Sequence, residues 1–135
     1  MPEIEVLIYA EEDGSSPLIL WLDGLPEKAQ IKCIVRIERL KEKGHELHRP
    51  EAAYLRDKIH ELRAALNRIQ YRMLYFFYKK QCIITHGIIK KEKEVPSGEI
   101  ELAITRKVRF EKEPMKHIVK KGESHGEKKG DNKRS

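Results

Sequence analysis

Residues 56–91 read RDKIHELRAALNRIQYRMLYFFYKKQCIITHGIIKK, and their reading decides the fold. Apolar and polar residues alternate with the period of two that belongs to strands rather than the 3.6 of helices. The pattern predicts three strands, over Lys58–Leu66, Tyr71–Tyr78 and Gln81–Ile89. Short joins at Asn67-Arg68 and Lys79-Lys80 make them an antiparallel meander. In the first strand Leu62, Ala64 and Leu66 share one face, and Glu61, Arg63 and Ala65 share the other. The middle strand is apolar or aromatic at nearly every position except Arg72, so it is expected to be covered on both faces. A lone arginine there costs stability unless it is paired or has work to do.

The same stretch carries the charge. It holds nine Lys/Arg against two acids, Asp57 and Glu61, for a net +7. The residues before it sum to −4 and those after it to +3, giving +6 for the chain. Cations threaded through a sheet, rather than gathered in a tail, suit a surface that meets phosphates, which makes RNA or DNA the expected partner class.

Working outward, Glu5–Ala10 (EVLIYA) is a short strand closed by the turn-forming EEDGSS. Ser16-Pro17 opens a helix, Ser16 as cap and Pro17 in its first turn, with Leu18, Leu22 and Leu25 on one side. A second helix runs from near Pro26 to about Lys43, striped by Ala29, Cys33, Ile37 and Leu40 and stopped by Gly44. These two helices form a hairpin with an apolar face to cover. His45–Tyr54 is polar, contains Pro50, and is expected to be a connection. Pro96-Ser97 begins a third helix to about Lys112, with Ile100, Ala103, Ile104 and Val108 as its apolar side. The chain is thus one α+β domain over residues 1–112, with residues 113–135 a disordered basic tail. No apolar run is long enough to span a bilayer, and the acidic start lacks the pattern of a signal peptide, so the expected compartment is the cytoplasm, with no membrane partner. Cys33 and Cys82 read as small buried hydrophobes.

The groups able to carry chemistry are Arg63, Tyr71, Arg72, His86, Lys90 and Lys91, joined by Arg106. Strand adjacency brings them together despite their separation in sequence. The set suits phosphodiester transfer in RNA. Arginine forks bind phosphate oxygens and stabilise a pentacoordinate transition state. A His or Lys takes the 2′-hydroxyl proton and a second group protonates the leaving 5′-oxygen. Tyr71 stacks on a base or donates a hydrogen bond, and Arg68, Lys79 and Lys80 in the turns extend the RNA-binding surface. Blander readings stand beside these: Arg72 in a buried ion pair, His86 as hydrogen-bonded structure, Tyr71 as core, and Lys90 with Lys91 as edge protection. No metal or other cofactor is expected, since the histidines lack ligand spacing and no phosphate-cradling loop occurs.

Six motifs in order then resemble the Gp49/HigB-like branch of the RelE/ParE toxin superfamily. They are WLDGLPEKAQIKCIVRIERLKEKG, Tyr-Leu-Arg-Asp at Tyr54 to Asp57, and Glu-Leu-Arg at Glu61 to Arg63. Tyr-Arg-x-Leu-Tyr at Tyr71 to Tyr75, the apolar strand ending at His86 to Lys91, and the helix motif from Pro96 to Arg106 complete the set. The resemblance implies a RelE-like fold, with an N-terminal helical hairpin packed on a small antiparallel sheet and a C-terminal helix. It implies a type II toxin that cleaves mRNA in the ribosomal A site by metal-independent 2′-hydroxyl attack, inhibiting translation. Its partners would be the 70S ribosome, mRNA and a cognate helix-turn-helix antitoxin, in a hetero-oligomer that reaches operator DNA through the antitoxin. Arg72 matches the residue on the scissile phosphate, Arg63 a catalytic or phosphate-binding base, and Lys90 and Lys91 the strand-end cation. Relatives commonly place an aromatic, often Tyr, at the end of the last helix, where this chain has Phe110, and some carry Lys where it has Glu61. The alternatives are a ParE-like inhibitor of DNA gyrase and a degenerate, non-catalytic RNA- or protein-binding module.

Overall fold

The computed structural model describes residues 4–91 and 93–120. Its elements run β1 (Glu5–Ile8), α1 (Pro17–Asp23), α2 (Glu27–Lys43), β2 (Ala52–Arg56), β3 (Ile59–Leu66), β4 (Ile69–Tyr78), β5 (Gln81–Lys90) and α3 (Ser97–Lys112). Short 3₁₀ turns follow α2 at Gly44–Glu46 and α3 at Pro114–Lys116. The five strands form one sheet in the order β1-β5-β4-β3-β2.

Three expectations need correction. The sheet is mixed, not antiparallel: β1 pairs parallel with β5, Glu5 beside Gln81 through Ile8 beside Ile84. The stretch expected to connect helix and sheet, His45–Tyr54, runs into β2, whose Ala52, Ala53 and Tyr54 fall inside it and which is antiparallel to β3. The turn between them is Asp57-Lys58, both at positive φ (52° and 70°), and Asn67-Arg68 repeats the same pair of values in the next hairpin. Such left-handed pairs match the twist of hairpin strands, and here they form without the glycine that usually marks them. Third, although the strand expected at the start of the chain forms over Glu5–Ile8, the two helices after it are less a hairpin than a crossover. They carry the chain over one face from the β1 edge to the β2 edge. α1 packs on β5 and α2 on β3, with Gln30 Nε2 donating to Leu22 O at 2.7 Å where they meet.

Each side of the sheet has its own core. Under α1 and α2 lie Leu18, Ala29, Cys33, Leu40, Leu62, Met73 and Ile84. Both cysteines are free and fully buried there, and burial pushes the Cys33 thiol up to about 11. Gly87 is what lets α1 approach: a Cβ at this position would sit 2.2 Å from the Trp21 ring, so any side chain would lift the indole off β5. On the opposite face α3 covers Ile59, Leu74, Phe76 and Ile83, burying Ile100, Ala103 and Phe110. Val108, expected on the apolar side, is instead exposed, and Phe110 packs edge-on between Phe76 and Tyr78. The Ser16 cap forms as expected, its hydroxyl accepting from Ile19 N at 3.2 Å.

The chain does not leave the domain at residue 112. His117 stacks on Tyr9 at 5.3 Å and its Nδ1 lies 2.9 Å from Ala10 O. Ile118 bridges Tyr9, and Val119 N donates to Ile8 O at 2.8 Å, so this segment lines the outer edge of β1. Residues 121–135 of the expected basic tail lie outside the described residues. Among the described residues no helix is long and apolar enough to cross a membrane.

Candidate functional site

The α3 face of the sheet sets its polar side chains in rows. Ala65, Gln70 and Lys90 form one, Arg63, Arg72 and Ile88 the next, and Glu61, Leu74 and His86 a third. Strand alternation alone would not produce this order. Between the Leu74–His86 and Tyr75–Ile84 pairs the register shifts, leaving Thr85 as an extra residue in β5. A bulge of one residue exchanges the faces of everything beyond it. Ile83 and Lys90 differ in parity yet share the α3 face, so the bulge is what places Lys90 beside the arginines.

Beside Lys90, Arg63 and Glu61, one from each row, opens a cavity of about 630 Å³. Among the described residues five cations line it (Arg49, Arg56, Arg63, Lys90 and Lys93) against two carboxylates, Glu61 and Glu94. The first turn of α3 contributes Ser97 and Ile100 to the wall, adding the partial positive charge of a helix start. Arg56 clips the β2–β3 turn to α3, with Nη2 at 2.9 Å from Glu101 and Nη1 at 2.5 Å from Asp57.

Glu61 organises the floor. Arg63 and Arg72 stand directly opposite each other on β3 and β4, an arrangement that like charges resist. The carboxylate lies between them, Oε1 at 3.0 Å from Arg72 Nε and Oε2 at 3.5 Å from Arg63 Nε. Glu61 and Arg72 are nearly sealed, their side chains 6% and 3% exposed, while Arg63 is 25% exposed and reaches the cavity. The Arg72–Glu61 contact is close but poorly directed, and neither Glu61 Oε1 nor Arg72 Nε has a hydrogen-bond partner among the described residues. Arg72 Nη1 donates to Gln70 Oε1 and to Tyr71 O, both at 3.2 Å. Burial lowers the Arg72 guanidinium from its ordinary value, Glu61 opposes that shift, and Arg63 adds to it. The ion-pair reading of Arg72 and its placement beside the cavity are therefore both present.

The other expected site residues are dispersed. His86, in the third row, is buried, with Nε2 at 3.1 Å from Glu99 Oε1 and Nδ1 at 2.8 Å from the Thr85 hydroxyl. A carboxylate only accepts, so Nε2 carries the proton, and the single Thr85 hydroxyl hydrogen is shared between Nδ1 and Leu74 O, at 2.8 and 3.3 Å. Burial holds the imidazole below its ordinary value, with Arg106 adding to the shift and Glu99 opposing it. Arg106 points away from the cavity, to Glu11 at 3.3 Å and over the Tyr9 ring at 5.8 Å. Tyr71 lies on the far side of the sheet, 2% exposed and edge-on to Trp21, which is its core reading. Lys91 is exposed just past β5, and Arg68 is exposed in the β3–β4 turn at the same end of the sheet. Lys79 and Lys80 occupy the opposite turn, about 30 Å away along β4. Phe110, in the core, leaves no helix-end aromatic at the cavity. Arg49, Arg56 and Lys93 were missed as wall residues, although Arg56 opens the charged stretch and Lys93 follows it closely.

A mixed sheet roofed by helices on both sides, with an open cationic cavity at one end, is an α+β architecture compatible with the RelE-like fold. The chain belongs to the family described as "Phage derived protein Gp49-like", whose profile matches residues 20–108, within the RelE/ParE-like toxin superfamily. No curated protein matches the chain. The family is one of toxin–antitoxin toxins, and a toxin of this kind implies an antitoxin partner.

Proposed function

We propose that this protein is the toxin of a type II pair and cleaves mRNA on the ribosome, using the 2′-hydroxyl of the substrate as nucleophile. The reading rests chiefly on the cavity lined by Arg63 and Lys90, with Arg72 buried opposite Arg63 across β3 and β4. A phosphodiester seated there would have its non-bridging oxygens against the Arg63 guanidinium, with Arg72 beneath adding field at short range. Charge builds on those oxygens as the 2′-oxygen attacks phosphorus, so fixed cations favour the transition state over the ground state. The 2′-hydroxyl proton passes to water in the open cavity, because Glu61 is sealed between the two guanidiniums. The P–O5′ bond breaks, Lys90 supplies the proton to the leaving oxygen, and the products are a 2′,3′-cyclic phosphate and a 5′-hydroxyl. His86 takes no part, being enclosed by Thr85 and Glu99. The ribosome supplies orientation that an open cavity on a small domain does not. A helix-turn-helix antitoxin holds the toxin inactive and carries it to operator DNA.

The test is primer-extension mapping of a defined mRNA with the purified protein, with and without translating ribosomes, beside Arg63→Ala. Arg63 suits this better than Arg72, because its partial exposure lets it be truncated without unpairing a sealed carboxylate. Ribosome-dependent cuts that fall about 10²–10³-fold in the variant are expected. Cutting by Arg63→Ala at the wild-type rate would sink the assignment.

A further inference from the structure

Tyr54 is the one large aromatic among the described residues that the fold exposes by more than half, at 56%. It is nonetheless held firmly. Its hydroxyl accepts from Lys58 N at 3.1 Å across the β2–β3 turn. Its ring meets His60 edge-on at 5.1 Å, and His60 is itself wedged against Tyr75 and Phe77, each at 5.1 Å. A tyrosine this exposed on an edge strand gains little from packing, so its rigidity calls for another explanation.

Position supplies one. Tyr54 and Arg49 line the cationic cavity and also a second one of about 380 Å³ around the β2 edge. The walls of the second are Leu47, His48, Ala52, Ala53 and His60: apolar and aromatic surface with no carboxylate. Its volume falls within the range of small-ligand sites. A strand of nucleic acid has the same alternation, charged phosphate and then flat apolar base, in adjacent steps.

We infer that Tyr54 is the platform of a nucleobase-stacking subsite, taking the base of a nucleotide next to the scissile phosphate in single-stranded RNA. The inference rests on the reading of the cationic cavity as a phosphate site. Stacking on a phenol face accepts any base, so the subsite adds affinity and register rather than sequence choice. It supplies the role that a buried Tyr71 does not.

The experiment walks 2-aminopurine through a short single-stranded oligoribonucleotide and titrates it with the full chain at low ionic strength, alongside Tyr54→Ala, Tyr54→Trp and Arg63→Ala. The wild type should quench the probe at one position. Tyr54→Ala should lose that quench and bind about tenfold more weakly while remaining fully folded at the titration temperature. Tyr54→Trp should restore both. An oligonucleotide abasic at that position should bind wild type and Tyr54→Ala equally. Wild-type affinity and quenching in Tyr54→Ala, with binding weakened in Arg63→Ala, would overturn the subsite and leave the cavity reading standing. No binding by the wild type would remove both.

Discussion

Two clusters of charge sit on the same face of the sheet beneath the same helix, and they have opposite fates. At the β2 end, five cations and two carboxylates among the described residues line an open cavity, one of the cations, Arg56, being paired with Asp57 and Glu101. Toward the β1 edge, Arg106 and Arg109 share Glu11, Glu99 takes His86, and Tyr9 with His117 closes over them. There one carboxylate serves both arginines and His86 is bonded at both ring nitrogens, so the cluster fastens α3 and the C-terminal segment to β1, although Arg106 Nε has no hydrogen-bond partner among the described residues. The difference teaches that basic residues mark an anion site only where carboxylates are too few to neutralise them and the geometry leaves access. Total charge distinguishes the two ends poorly; the local balance of charge and openness separates them.

The comparison breaks most sharply at Arg72. Its replacement by Ala leaves the Glu61 carboxylate sealed without its closest counter-charge, and about 3–5 kcal/mol of stability should be lost. Urea unfolding measures this, and Arg72→Ala combined with Glu61→Ala should recover a substantial part, because the stranded charge is then gone. A single variant as stable as the wild type would mean that the pair adds nothing to the floor. At the neutralised end, Arg106→Ala should cost only about 1 kcal/mol, the scale of a partly exposed ion pair with a cation–π contact. It should leave mRNA cutting unchanged, and a loss of cutting at equal folded fraction would extend the functional surface along the whole of α3.

The smallest effect is a pH dependence. Burial, and then neighbouring charge, lowers both His60 and His86 below the usual 6.5, with His45 acting on the first and Arg106 on the second. The unfolded chain therefore binds protons before the folded one does. Stability should be fully present above about pH 6.5 and decline as the pH falls through that value toward the folded-state values. Urea midpoints between pH 8 and 5 test the sign, and a midpoint that rises on acidification would reverse it.

Most of the framework could be read from side-chain spacing. β3, β4 and β5 announce themselves by alternation, α2 and α3 by their apolar stripes, and α1 by its Ser-Pro start. β2 could not be read this way, because AAYLR carries two small residues and an exposed Tyr and ends in a turn without glycine. The parallel β1–β5 pair was hidden for a different reason: a short apolar strand does not specify which edge it joins. Of the residues to which the sequence pointed, Arg63 and Lys90 line the cavity, and Arg72 is buried opposite Arg63. Tyr71 and Arg72 are neighbours in sequence and face opposite sides of the sheet, so adjacency on the chain overstated what belongs together. Arg49 and Tyr54 reach the cavity from outside the expected strands, and only the edge pairing of β2 brings them there.

The extra residue at Thr85 has a practical consequence for anyone grafting this cavity onto another scaffold. On a regular strand paired in the same way, a lysine copied from position 90 by counting back to the hairpin would emerge among the apolar residues beneath the first two helices. A transplant must either import the irregularity together with the lysine or move the lysine by one position. What is portable here is a spacing rule for β5 rather than a list of amino acids.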